Sequence, residues 1–178
     1  MPAGSNGPGA PGPVDWILRA QSLLKDQQCA VLTMLNDVRG STPRGTGTWM
    51  LISSTTSLGT LGGGELERMI SEAAHAMLSD QGSWQRSTLH CVLGPDLNQC
   101  CGGAVAVTLE PLDSTALPWL GEAAEAVGSH TRAAVLFDIT DPGRRPEVIK
   151  LPDNLASIGE VHLSLIHISE PTRLGMMS

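Results

Sequence analysis

The chain has no tyrosine, one phenylalanine and four tryptophans among its 178 residues. An aromatic core is therefore excluded, and packing has to rest on Val, Leu, Ile, Ala and Met. No run of 18 apolar residues exists, so nothing reads as a membrane span. The first residues lack the basic region and apolar run of a secretory signal. Basic residues are few, 11 against 18 acidic ones, for a net charge of −7. That balance disfavours nonspecific binding to nucleic acid or to an anionic membrane. Four cysteines without a secretion signal point to a reducing, cytoplasmic setting. At 41% hydrophobic content the chain can bury one real core, and is too short for two large domains.

Residues 1–13 are almost entirely Pro, Gly, Ala, Ser and Asn, which predicts a disordered leader. Ile17, Leu18 and Leu24 recur at helical spacing and predict a helix from Val14 to about Gln27. Cys29 to Leu35 predicts a buried strand, with Cys29 as a packing residue. Asn36 to Gly47 reads as a loop. Thr48 to Ser53 and Leu58 to Leu61 read as strands, and Gly62-Gly63-Gly64 opens a helix with Leu66, Met69, Ile70, Ala73, Ala74, Met77 and Leu78 on its apolar side. His75 on that helix reads as a surface or boundary residue. Further strands are expected at Ser83 to Leu93, Ala104 to Leu109 and Ala133 to Ile139. A helix is expected from Ser114, its candidate cap, to about Val127, and a hairpin arm at Glu147 to Leu151. These elements predict an α/β fold: a mixed β-sheet with packed helices in a single compact domain.

Three glycine-bearing stretches stand out. Gly40-Ser41-Thr42-Pro43-Arg44 offers two hydroxyls and a planar guanidinium, which suits an anion such as phosphate; it also suits a plain surface turn. Gly62-Gly63-Gly64-Glu65 feeds a helix start, whose open N–H groups and dipole favour negative charge. Glu65 and Glu67 can satisfy that helix end themselves, and the spacing is neither a P-loop nor G-x-G-x-x-G. Gln99-Cys100-Cys101-Gly102 holds adjacent thiols between a Gly-Pro turn and a Gly-Gly pair. A disulfide between neighbours is strained, and no C-x-x-C pair supports zinc. What remains is an exposed thiol able to meet a soft metal or accept sulfur, or two small residues packed under a turn. His90 and Cys91 adjoin on a strand, point to opposite faces and make a poor catalytic pair.

Taken in order, GSTPR, GTLGGGELE and LGPDLNQCCGGAV resemble the XdhC/CoxI family of xanthine dehydrogenase accessory proteins. The resemblance is good over residues 14–110, within a domain expected to run over 14–161. It implies binding of the molybdenum cofactor (molybdopterin), a pterin bearing a phosphate and a dithiolene-held molybdenum. It further implies protection of that cofactor during sulfuration and delivery to a xanthine dehydrogenase-type molybdoenzyme, so that the chain is a maturation factor and not a turnover enzyme. A cysteine desulfurase and a homo-oligomer are further partners to expect. The family loops fall on Gly40, Ser41, Pro43 and Arg44, on Gly62, Gly63, Gly64 and Glu65, and on Gln99, Cys100, Cys101 and Gly102. In chemical terms Arg44, Ser41 and the glycine amides would hold the phosphate or pterin, and Cys101 or Cys100 would approach the molybdenum or its sulfur. The alternatives are a thiol-based sulfur carrier or transferase, and a phosphate-binding interaction module without chemistry. Family members continue into a Rossmann-like domain with a glycine-rich turn, and no such turn appears here. Leu163 to Arg173 instead reads LSLIHISEPTR, which looks like a translated sequencing adapter. Residues 162–178 are accordingly expected to be non-native, with the second domain missing.

Overall fold

The computed structural model describes residues 12, 14–26, 28–42, 44–80, 84–94 and 102–151, and the backbone of 163–169. The expected disordered leader lies almost wholly outside the described residues. The predicted α/β fold is present, as two sheets with packed helices. Every strand pairing among the described residues is antiparallel.

The larger sheet is ordered β3-β2-β1-β5-β4. Its strands are β1 (Ala30–Arg39), β2 (Trp49–Ser53), β3 (Ser57–Gly59), β4 (Ser87–Val92) and β5 (Ala104–Leu112). Helix α2 (Gly64–Ser79) lies on one face; α1 (Asp15–Lys25) and α3 (Leu117–Gly128) lie on the other. A central strand covered on both faces has no polar side to show, which is why Ala30 to Leu35 is continuously buried. Val31 and Leu35 meet Leu66, Ile70 and Ala74 of α2. Ala30, Leu32 and Met34 share the other core with Trp16 and Leu24 of α1 and Trp119 and Leu120 of α3. Full burial of each large apolar side chain contributes about 1.5–3 kcal/mol, so these two stripes dominate cohesion. The scarce aromatics are concentrated on one face. Trp16, Trp49, Trp119 and Phe137 all belong to the α1/α3 side, and Trp119 stacks at 6.2 Å from both Trp16 and Phe137.

Four details depart from the sequence reading. Leu18 is exposed, and Trp16 and Ala20 take its place on the buried face of α1. Cys29 is exposed just ahead of β1, because that strand begins at Ala30. β1 also runs on through Asn36–Arg39, with a bulge between Leu35 and Asp37, because β5 offers it a partner as far as Ala104. The cap before α3 is Asp113, which accepts from Thr115 N–H (2.8 Å) and Oγ1 (2.6 Å) ahead of the short 3-10 turn Ser114–Ala116.

The second sheet is β7-β6-β8, made of β6 (Ala133–Asp138), β7 (Glu147–Lys150) and β8 (Leu163–Ser169). β8 falls in the run expected to be foreign; an apolar, β-prone segment can pair along an open strand edge whatever its origin. Arg86 ties the two sheets together. It sits just ahead of β4, pairs with Glu110 of β5 at 2.6 Å, and donates to the carbonyls of Asp138 (2.6 Å) and Arg144 (2.9 Å).

Candidate functional site

Register decides where the three loops emerge. Met34 pairs with Trp49 and Arg39 with Ala104, so β1 ends where β2 and β5 begin. Gly59 pairs with Met50 and Val92 with Ala104, so β3 and β4 also finish at that end. All three glycine loops therefore leave the same end of the sheet. They do not start at one level. β1 passes the first residue of β2 by five positions, roughly 17 Å of strand. A β1–β5–β4 arm thus rises above the β2–β3 shelf, and α2 begins beside that shelf.

The first loop caps the arm. Gly40 has φ of 72°, a left-handed turn that glycine enters without strain. Thr42 Oγ1 donates to Arg44 O (2.9 Å), and Thr48 Oγ1 donates to Gly45 O (2.7 Å). Gly47 N–H returns to Leu35 O at 2.8 Å and fixes the far end. Ser41 and Arg44 are exposed, and the Arg44 guanidinium has no hydrogen-bond or ion-pair partner among the described residues. Arg39, by contrast, pairs with Asp37 at 2.9 Å. Pro43 lies outside the described residues.

The third loop returns against the first. A Cβ placed on Gly103 would stand 2.6 Å from Arg39 O, closer still to Ser41 O, and 2.9 Å from Thr42 Cγ2. A Cβ on Gly40 would meet Gly103 Cα at 3.2 Å. The two backbones touch here only because neither position carries a side chain. Gly103 O accepts from Leu93 N–H at 2.6 Å, which closes the base of the loop. Gly102 is different: it is exposed, has no positive φ, and has nothing within 4 Å of its missing Cβ. Gln99, Cys100 and Cys101 lie outside the described residues. Cys91 is buried while His90 is exposed, as their alternation requires, and burial pushes the Cys91 thiol up.

The second loop forms the helix mouth on the shelf. Gly62, Gly63 and Gly64 all have positive φ, a run that only glycine adopts readily. The two acids of the first turn part company. Glu65 goes to Arg68, whose hydrogen bond holds its carboxyl below the usual range, and Arg68 also reaches Glu72. Glu67 reaches back into the turn, and its Oε2 accepts from Thr60 Oγ1 (2.7 Å), Gly63 N–H (2.9 Å) and Leu61 N–H (3.2 Å). Thr60 Oγ1 also accepts from Gly62 N–H at 3.2 Å. Glu67, Thr60 and Leu61 are the residues of this turn that the sequence did not single out as a site. The signal was a glutamate four residues after the N-cap, one beyond the usual capping-box position.

Two of the three loops are thus in contact, and the third stands at the same end of the sheet. Residues 23–90 match the XdhC and CoxI family. The matched stretch is less than half of the chain. It includes the first two loops and stops short of the cysteine loop. No curated protein matches the chain. Among solved structures, the crystal structure of a xanthine dehydrogenase from Bacillus halodurans is similar, with 24% identity and a TM-score of 0.59. The likeness covers 68% of this chain and 38% of that one, and it shows a shared fold. No group of three or more metal-ligating side chains occurs among the described residues. No helix among them is long and apolar enough to cross a membrane.

Proposed function

We propose that this XdhC/CoxI-type chain is an accessory protein that binds the molybdenum cofactor, holds it for sulfuration and hands it to a xanthine dehydrogenase-type molybdoenzyme. One observation carries the reading: the arginine loop and the cysteine loop are joined backbone to backbone at Gly40 and Gly103, at the end of the sheet where the triple-glycine turn also opens. The chemistry of this end fits such a ligand. Arg44 offers a guanidinium, unpartnered among the described residues, for a phosphate, and Ser41 adds a hydroxyl. The absent Cβ atoms at Gly45 and Gly102 leave open space in which a flat heterocycle can come close to the backbone. Cys101 or Cys100 is the soft donor of the same loop. When bound, the cofactor supplies the molybdenum centre that takes up sulfur. The protein's part is to hold the group, orient it and keep it from bulk water.

Titration with molybdenum cofactor tests the reading, and the expected result is saturable binding by the purified chain. Removing a charge-assisted contact costs about 1.5–3 kcal/mol. Arg44→Ala should therefore weaken the affinity by one to two orders of magnitude, with unfolding unchanged. Cys101→Ser should weaken it through a different group. Absence of any saturable binding removes the proposal, and parental affinity in both variants removes the assignment of these residues.

A further inference from the structure

The mouth of α2 already holds an anion, and it belongs to the protein. Three donors, the Leu61 and Gly63 N–H groups and the Thr60 hydroxyl, converge on a single oxygen of Glu67. A helix N-terminus is equivalent to roughly half a positive charge. One carboxylate more than cancels it. The neighbourhood adds to the excess: Glu65, Glu67 and Glu72 are three carboxylates against the one guanidinium of Arg68. Around the first loop the balance is reversed. Among the described residues, Asp37 is taken up by Arg39 and Arg44 has no such partner.

We infer that Glu67 is a specificity-determining residue that closes the α2 mouth to anions. The Gly62–Gly64 turn then meets a neutral, hydrogen-bonding part of the ligand, and the ligand's anionic group lies on the Arg44 side. This division of labour rests on the ligand-binding reading above; the closure of the helix mouth does not. It also gives the three consecutive positive-φ glycines a purpose besides the turn. They let the chain wrap one internal carboxylate tightly while its outer face stays free of side chains.

Inorganic phosphate is the probe, read at individual backbone amides by nuclear magnetic resonance. In the unmodified protein, phosphate should shift Gly40 and Ser41 saturably and leave Leu61 and Gly63 where they are. In Arg44→Ala the first response should fall at least tenfold in affinity. In Glu67→Gln, which keeps the shape and removes the charge, Leu61 and Gly63 should begin to respond to phosphate. A saturable response of Leu61 and Gly63 in the unmodified protein overturns the inference, as does a folded Glu67→Gln whose turn stays silent. Should Glu67→Gln not fold, the unmodified protein and Arg44→Ala still decide it. A protein in which phosphate moves no amide at all overturns the placement of the anion on the Arg44 side. None of these arms uses the molybdenum cofactor, so their failure is separate from failure of the cofactor titration.

Discussion

Replacing Arg86 with methionine should cost about 3–5 kcal/mol of stability above neutral pH, the range for breaking a buried ion pair on one side. Arg86 and Glu110 are both buried, and the guanidinium meets both carboxylate oxygens, at 2.6 and 3.2 Å. It also serves the Asp138 and Arg144 carbonyls and lies 5.4 Å from the Phe137 ring centre. The substitution strands a carboxylate and leaves carbonyls of the Asp138–Arg144 segment without a donor, loosening the second sheet from the first. A double variant, Arg86→Met with Glu110→Leu, should recover part of the loss, because a packed apolar pair often equals a buried ionic one. Urea unfolding of the single and double variants checks both statements. A single variant within 1 kcal/mol of the parent would falsify the role given to Arg86.

The same pair gives stability a pH dependence of definite sign. Burial pushes the Glu110 carboxyl up to about 7, against the pull of Arg86. The native state therefore holds a proton that the unfolded chain has released. This group's contribution is complete below its unfolded value near 4.5 and is lost as pH rises through 7. Between those limits stability should fall by up to roughly 1.4 kcal/mol per pH unit. Asp113 and Asp138, like Glu65, titrate lower and stay out of that window. Asp113 is lowered because hydrogen bonds from Thr115 and Trp84 outweigh its burial; Asp138 is lowered first by Thr140. Glu110→Gln should accordingly flatten the slope between about pH 5 and 7. Without Arg86 the folded value rises further, so the cost of Arg86→Met should grow with pH.

Local patterning made much of this fold legible. The apolar run Cys29 to Leu35 announced a buried strand, one residue longer than the one that forms, and Leu66, Ile70 and Ala74 announced the face of α2. What stayed hidden depended on partners distant in the chain. Asn36 to Arg39 reads as polar loop, and only β5 makes it strand. Arg86 sits in a stretch of mixed polarity, and nothing nearby in sequence tells a buried arginine from a solvated one. Glu67 was visible as a first-turn acid. That it, and not Glu65, would fill the turn depended on where Arg68 and Thr60 drew each carboxylate. The three candidate loops could be named from their glycines. Their emergence at one end of the sheet follows from strand order and register, which motif spacing does not encode.

Gly103→Ala should cost about 3 kcal/mol or more, at or beyond the upper end of the usual overpacking penalty. The added methyl would run into the Ser41 and Arg39 carbonyls and into Thr42 Cγ2. Two of these are backbone atoms and cannot turn aside as a flexible side chain would. They sit where Arg39 pairs with Ala104, so relief means pulling the loops apart or giving up the bond from Leu93 N–H to Gly103 O. Gly102→Ala is the control one residue away. Its methyl enters open space at an ordinary φ, so stability should stay within about 0.5 kcal/mol of the parent. The pair separates two reasons for a glycine. At Gly103 the fold forbids a side chain; at Gly102 the described structure gives no such reason, and under the proposed function a bound ligand would supply one. Gly102→Ala should therefore keep the unfolding midpoint and lose cofactor affinity, a combination that packing damage cannot produce. If Gly103→Ala unfolds at the same urea concentration as the parent, the arginine and cysteine loops are not in contact, and the shared site has no structural basis.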